Sequence, residues 1–160
     1  MRTINLIVVH CSATRRDSAL SPEALDRMHR RRGFNGTGYH YYIRTDGTVH
    51  PTRPLHRIGA HAKGFNAHSI GICYEGGLDC RGRPADTRTP AQRCALRQLV
   101  GQLQQLFPGC RICGHRDLSP DANANGVVEP HEWLKQCPCF DAGKEFNLPG
   151  KEITQHETNI

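Results

Sequence analysis

The 160-residue sequence has no apolar run approaching the roughly 20 residues that span a bilayer, which excludes a helical membrane protein. It has no internal repeat and no low-complexity linker, so a solenoid or a string of modules is excluded as well. One domain of this length buries a core without needing disulfides or metals as staples. Aromatic residues are scarce, 6% with a single tryptophan, and none interleave with basic residues as a stacking surface for single-stranded nucleic acid would require. A secretory signal is also missing: only Arg2 precedes the apolar INLIVVH, and no small-residue cleavage site follows before Arg15 and Arg16. The expectation is synthesis in the cytoplasm without a signal peptide. In that reducing compartment the eight cysteines are thiols, most of them small buried apolar residues, and do not form a disulfide framework.

What is present is positive charge and a regular alternation of elements. The net charge of +6 favours a polyanionic partner, which charge alone does not identify. Its densest run, Arg27 to Phe34, lies on a helix that Ser21 caps, Pro22 starts and Gly33 ends, and it reads as a solvated face. Ile4 to Val9 is a continuous β-branched run suited to a strand buried on both faces. Tyr39 to Arg44 and Thr48 to Pro51 flank a Thr-Asp-Gly turn and read as a hairpin, while Ser69 to Tyr74 is another buried strand. Thr89, Pro90 and Gln92 form a capping box that opens a long helix ended by Pro108 and Gly109, and Cys110 to Cys113 is a last short strand. The class is therefore α/β, a single domain with a mixed central β-sheet flanked by helices. Its body is expected over residues 1–146, with 147–160 a polar tail.

His10 and His115 each follow a buried strand, so adjacent strand ends can bring them to one ion. A catalytic zinc takes three protein ligands and leaves a position open for water, and Cys137 is the candidate third ligand. A strand-end histidine is more often a hydrogen-bonded structural residue, and a lone cysteine in a reduced compartment is more often buried filler. Spacing alone leaves the trio a candidate. Cys139 competes with Cys137, and the C-x-x-C at 110–113 with C-x-C at 137–139 also admits a zinc-stabilised nucleic-acid protein, although that reading leaves His10 and Tyr39 unused. Between His115 and Cys137 runs DANANGVVEPHE, in which Asp121, Asn123, Asn125, Gly126 and Glu132 fit five specified positions of a calcium loop. Val127 would add a carbonyl and Glu129 a water-mediated contact. Leu118, Ser119 and Pro120 give it no entering helix, so a plain polar insertion is the competing reading.

Taken in order, VVHCSAT, GYHYYIRTDGTVH, SIGICYEGG, GHRDLSP and CPCFD resemble the zinc-dependent N-acetylmuramoyl-L-alanine amidases of the phage lysozyme type, related to peptidoglycan recognition proteins. The likeness covers roughly residues 4–141. It implies a zinc groove at the strand ends and hydrolysis of the amide between N-acetylmuramic acid and L-alanine in peptidoglycan. Carried over by motif, it implies zinc on His10, His115 and Cys137, with Tyr39 and Lys135 as catalytic residues. Their ordinary pKa values near 10 make both better donors than bases. The loop holding His61, Lys63, Asn66 and His68 corresponds to one that lines the substrate groove, making these four binding candidates. A noncatalytic peptidoglycan-binding module is the alternative; modules of that kind commonly lack the ligand cysteine, which this chain keeps. No nucleic-acid partner and no membrane insertion are expected. A prophage endolysin-like role implies that the chain reaches the wall after lysis or by non-classical export.

Overall fold

The computed structural model describes residues 2–147. Strand β1, Leu6–Cys11, is buried at every position, as its β-branched composition requires of a strand covered on both faces. After the two-residue β2, Thr14–Arg15, comes helix α1, Pro22–Arg31, where the Ala24 N–H donates to the Ser21 hydroxyl at 3.1 Å. Gly33, at φ +86°, follows its C-terminal end. Strands β3, Tyr41–Ile43, and β4, Val49–Pro51, form the expected hairpin. Then follow β5, Ser69–Tyr74, the short β6, Gly77–Leu78, and helix α2, Pro90–Leu106. The capping box of α2 is made: Gln92 N–H donates to Thr89 Oγ1 at 3.1 Å and Thr89 N–H to Gln92 Oε1 at 3.0 Å. Strand β7, Arg111–Gly114, and helix α3, Ala142–Phe146, complete the order.

Five strands form one mixed sheet in the order β4-β3-β5-β1-β7, antiparallel between β3 and β4 and parallel elsewhere. Because side chains alternate along a strand, Ile7, Val9 and Cys11 face one side of the sheet. There they pack with Ile70, Ile72, Leu96, Leu99, Val100 and Leu103, which seats α2. Leu6, Val8 and His10 face the other side. On that side Val8 packs with Cys113, and Leu25 of α1 packs with Tyr42 and Cys73. β1, flanked by β5 and β7, thus carries a histidine on the face opposite the main helix.

Two features had no sequence signal: the parallel β2–β6 pair, in which each strand has two residues, and the five-residue α3. The latter is tied down by Arg88, whose buried guanidinium bonds both Asp86 and Glu145 and lies over the Phe140 ring. One residue past the expected boundary at 146, Asn147 is joined to β7. Asn147 Oδ1 accepts from Ile112 N–H at 3.1 Å, and its Nδ2 donates to Ile112 O at 2.7 Å. The rest of the expected tail, 148–160, lies outside the described residues. All eight cysteines are free. Among the described residues no helix is long and apolar enough to cross a membrane.

Candidate active site

The strand geometry brings His10 and His115 together. β1 and β7 are parallel neighbours with Val9 opposite Gly114, so His10, still within β1, and His115, just past the end of β7, stand side by side. The His10 and His115 ring centroids are 4.6 Å apart. His115 opens a single 3-10 turn, His115–Leu118, which Asp117 holds by accepting the Gly114 N–H at 2.7 Å.

Cys137 arrives from a distant loop, fastened at three points. Its carbonyl accepts from Arg116 N–H at 2.8 Å, the next carbonyl, of Pro138, accepts from Tyr74 OH at 2.6 Å, and its own Sγ accepts from Cys11 N–H at 3.2 Å. Gly114 makes room for this loop, since a Cβ there would stand 2.5 Å from Pro138 Cδ. One donor atom each from His10, His115 and Cys137 then lies within 4.8 Å of the others. Cys139 is not part of this group: its Sγ donates to Gly77 O at 3.4 Å. A hydrogen bond with Cys11, together with burial, pushes its thiol pKa up.

The electrostatics suit a divalent cation that takes nitrogen and sulfur donors. Burial, reinforced by His61, His115 and Lys135, holds His10 well below its usual pKa. Burial and then Lys135 bring His115 down to about 4. Both rings are therefore neutral at physiological pH, the form that binds metal. Two neutral imidazoles and a cysteine sulfur are the donor set of a zinc site. Tyr39 stands beside them, its ring centroid 5.0 Å from that of His10, and burial raises its phenol well above the usual value. It remains a hydroxyl donor throughout the physiological range. Lys135, exposed, completes the rim.

These residues surround a groove of about 740 Å³. Its walls include residues not anticipated from the sequence. His29, Arg32 and Phe34 belong to the run read as a solvated face, but His29 is buried and its Nδ1 accepts from Gly38 N–H at 2.8 Å. Its spacing of four from the buried Leu25 on an amphipathic helix was the available signal. Phe65, Leu118 and Leu134 add apolar surface.

The four binding candidates separate. Lys63 is exposed on the groove wall. Asn66 also reaches the groove, but its Oδ1 accepts both His61 N–H and Ala62 N–H, each at 2.9 Å. His61 is buried, with its Nδ1 3.0 Å from His10 Nε2, and burial brings its pKa down to about 3. His68 packs against Phe65 and is not among the groove residues.

The 121–132 loop closes on itself. Asp121 accepts from Asn125 N–H at 3.2 Å and Gly126 N–H at 2.7 Å, and Asn125 Oδ1 accepts from Val127 N–H at 2.9 Å. Glu132, on the 3-10 turn Pro130–Glu132, accepts from Ala122, Asn123 and Glu129 N–H groups. Glu129 Oε2 takes the side-chain amides of Asn123 and Asn125. The possible metal donors gathered here are Glu129, His131 and Glu132, without Asp121. The calcium reading gains no support from these contacts.

Comparison with known proteins identifies the family. A family model described as N-acetylmuramoyl-L-alanine amidase matches residues 1–138. The endolysin of Klebsiella phage KP32 is 37% identical over 135 residues, covering 84% of this chain and 80% of that protein. Among solved structures, the N-acetylmuramoyl-L-alanine amidase LysC from Clostridium intestinale superposes with a TM-score of 0.69 at 30% identity, covering 90% of this chain and 82% of that one. Drosophila PGRP-LB, at 21% identity and a TM-score of 0.65 over 91% of this chain and 80% of that one, shares the fold.

Proposed function

The chain belongs to the N-acetylmuramoyl-L-alanine amidase family and is an enzyme of that class; from this premise we propose that it hydrolyses the amide between N-acetylmuramic acid and L-alanine in peptidoglycan with zinc held by His10, His115 and Cys137. The observation that carries the proposal is the convergence of those three donors, two of them neutral imidazoles, beside a partly buried tyrosine in an open groove. Zinc bound there would supply Lewis acidity for the scissile carbonyl and activation of the attacking water.

The protein's own groups account for the remaining work. The Lys135 ammonium on the rim stabilises negative charge developing on the carbonyl oxygen. Tyr39, kept protonated by its burial, donates a hydrogen bond that orients water or the reacting carbonyl. The apolar walls of Phe34, Phe65, Leu118 and Leu134 exclude bulk solvent around the bond, and Arg32 and Lys63 supply positive charge for an acidic substrate. The endolysin relatives support a wall-degrading role reached after lysis or by non-classical export.

Mass spectrometry of muropeptides from purified cell walls, digested with and without a chelator, tests the proposal. Free peptide stems and intact glycan carrying lactyl groups are expected, with both lost on chelation and restored by zinc. Unchanged walls in the presence of zinc would reject it.

A further inference from the structure

Resting on the zinc site proposed above, we infer that His61 is a positioning residue, set behind His10 to fix the orientation and tautomer of that ring so that His10 offers Nδ1 to the metal. His10 Nε2 is already engaged, 3.0 Å from His61 Nδ1, which leaves Nδ1 as the ring nitrogen available to a metal. The rings meet edge to face at an interplanar angle of 88° with centroids 5.0 Å apart, a geometry that aims one nitrogen at the other. On its far side, His61 Nε2 is 3.3 Å from Ser69 Oγ.

The fold makes a slot for this one ring. A Cβ on Gly71 would stand 2.6 to 2.8 Å from His61 Cγ, Cδ2 and Nδ1, and one on Gly59 would stand 2.6 Å from Cδ2. Neither glycine has a left-handed backbone, so space and not conformation is what each supplies. The backbone that carries the ring is held by Asn66, whose Oδ1 takes two successive N–H groups, those of His61 and Ala62. A residue placed to touch substrate would not need its ring sandwiched between two glycines and bonded at both nitrogens.

Proton positions follow from the chain of contacts. When His10 Nδ1 binds a metal it carries no proton, so the proton is on Nε2 and is donated to His61 Nδ1. His61 then carries its own proton on Nε2 and donates it to Ser69 Oγ. Metal binding at His10 Nδ1 would thus fix the tautomers of two imidazoles in series, with the Ser69 hydroxyl at the start of β5 as the last acceptor, and His10 gains basicity towards the metal.

The test uses the full-length zinc-loaded protein and measures its zinc dissociation constant by chelator competition. His61→Ala should weaken zinc binding about 10- to 100-fold and lower kcat, leaving KM for muropeptides unchanged. His61→Asn, whose amide oxygen can take the place of Nδ1 as acceptor, should recover most of the loss. Long-range proton–nitrogen NMR of the wild type should show His10 protonated at Nε2 and His61 protonated at Nε2. Ser69→Ala, which keeps the ring in its slot, should loosen zinc a few-fold and serves if His61→Ala does not fold. A raised KM with unchanged zinc affinity in His61→Ala, or a proton on His10 Nδ1 in the zinc form, would overturn the inference and leave the amidase reading intact. A wild type that binds no zinc would overturn both.

Discussion

Two stretches of this chain carry the residue types of a metal site, and the structure treats them in opposite ways. His10, His115 and Cys137 come from separate elements, and their donor atoms converge on a groove. The 121–132 loop draws its oxygen donors from twelve consecutive residues, and nearly all of them already accept N–H groups of the same loop. Sequence spacing is the stronger signal in the second case and the weaker in the first. What distinguishes them is how far each donor is already engaged: Cys137 Sγ accepts one N–H and keeps lone pairs to spare, whereas Asp121 accepts two N–H groups and Glu132 three, bonds that an ion would have to displace.

The contrast can be broken most forcefully at the trio. His10→Ala, His115→Ala or Cys137→Ala should lose bound zinc and at least about a thousandfold in hydrolysis, because the ion supplies several kcal/mol of transition-state stabilisation. Circular dichroism should stay near wild type; zinc retained in any of the three would dissolve the site. Cys139→Ser, by comparison, should keep its metal and its activity, given that its sulfur faces Gly77 O. If Cys139→Ser were inactive and Cys137→Ser active, the ligand assignment would move by two residues.

Lys135→Ala should reduce turnover by about a hundredfold with zinc content unchanged, as measured by metal analysis alongside kcat. Zinc lost with normal activity per bound metal would make the lysine structural. At the loop the effects should be smaller. Millimolar calcium should leave the melting temperature of the zinc-loaded protein unchanged and give no saturable heat by calorimetry; a saturable heat would put both stretches in one class.

Glu132→Gln should lower the melting temperature by a few degrees at neutral pH. Backbone N–H groups, that of Glu129 foremost, hold the Glu132 carboxyl below its usual pKa. Its stabilisation is therefore present above the unfolded value near 4.5 and is lost as pH falls through the lower folded value. The gap between variant and wild type should close in acid; a gap that persists there would assign the effect to packing.

Much of the fold was legible because its longer elements obey local rules. β1 and β5 are β-branched runs buried throughout, and α2 announces itself by a complete capping box. β2, β6 and α3 were not legible, since two residues set no period and α3 depends on the Arg88 cluster for its place. The metal trio was suggested by strand ends and sharpened by family likeness. His61 was one of four substrate-binding candidates because its loop could be placed only coarsely; the seat proposed for it behind His10 depends on Gly71, a residue of a different element. His29 was hidden by the arginines around it.

Asn147 has a consequence for the molecule's behaviour in a crowd. β7 pairs with β1 on one side, so its other side is the outer edge of the sheet, where an unpaired strand can recruit another chain and start a fibre. By accepting from the N–H of Ile112 and donating to its C=O with one side-chain amide, Asn147 imitates a strand one residue long. With the Gly114 N–H of the same strand held by Asp117, the edge is capped by two side chains that offer no backbone of their own for the next strand to join.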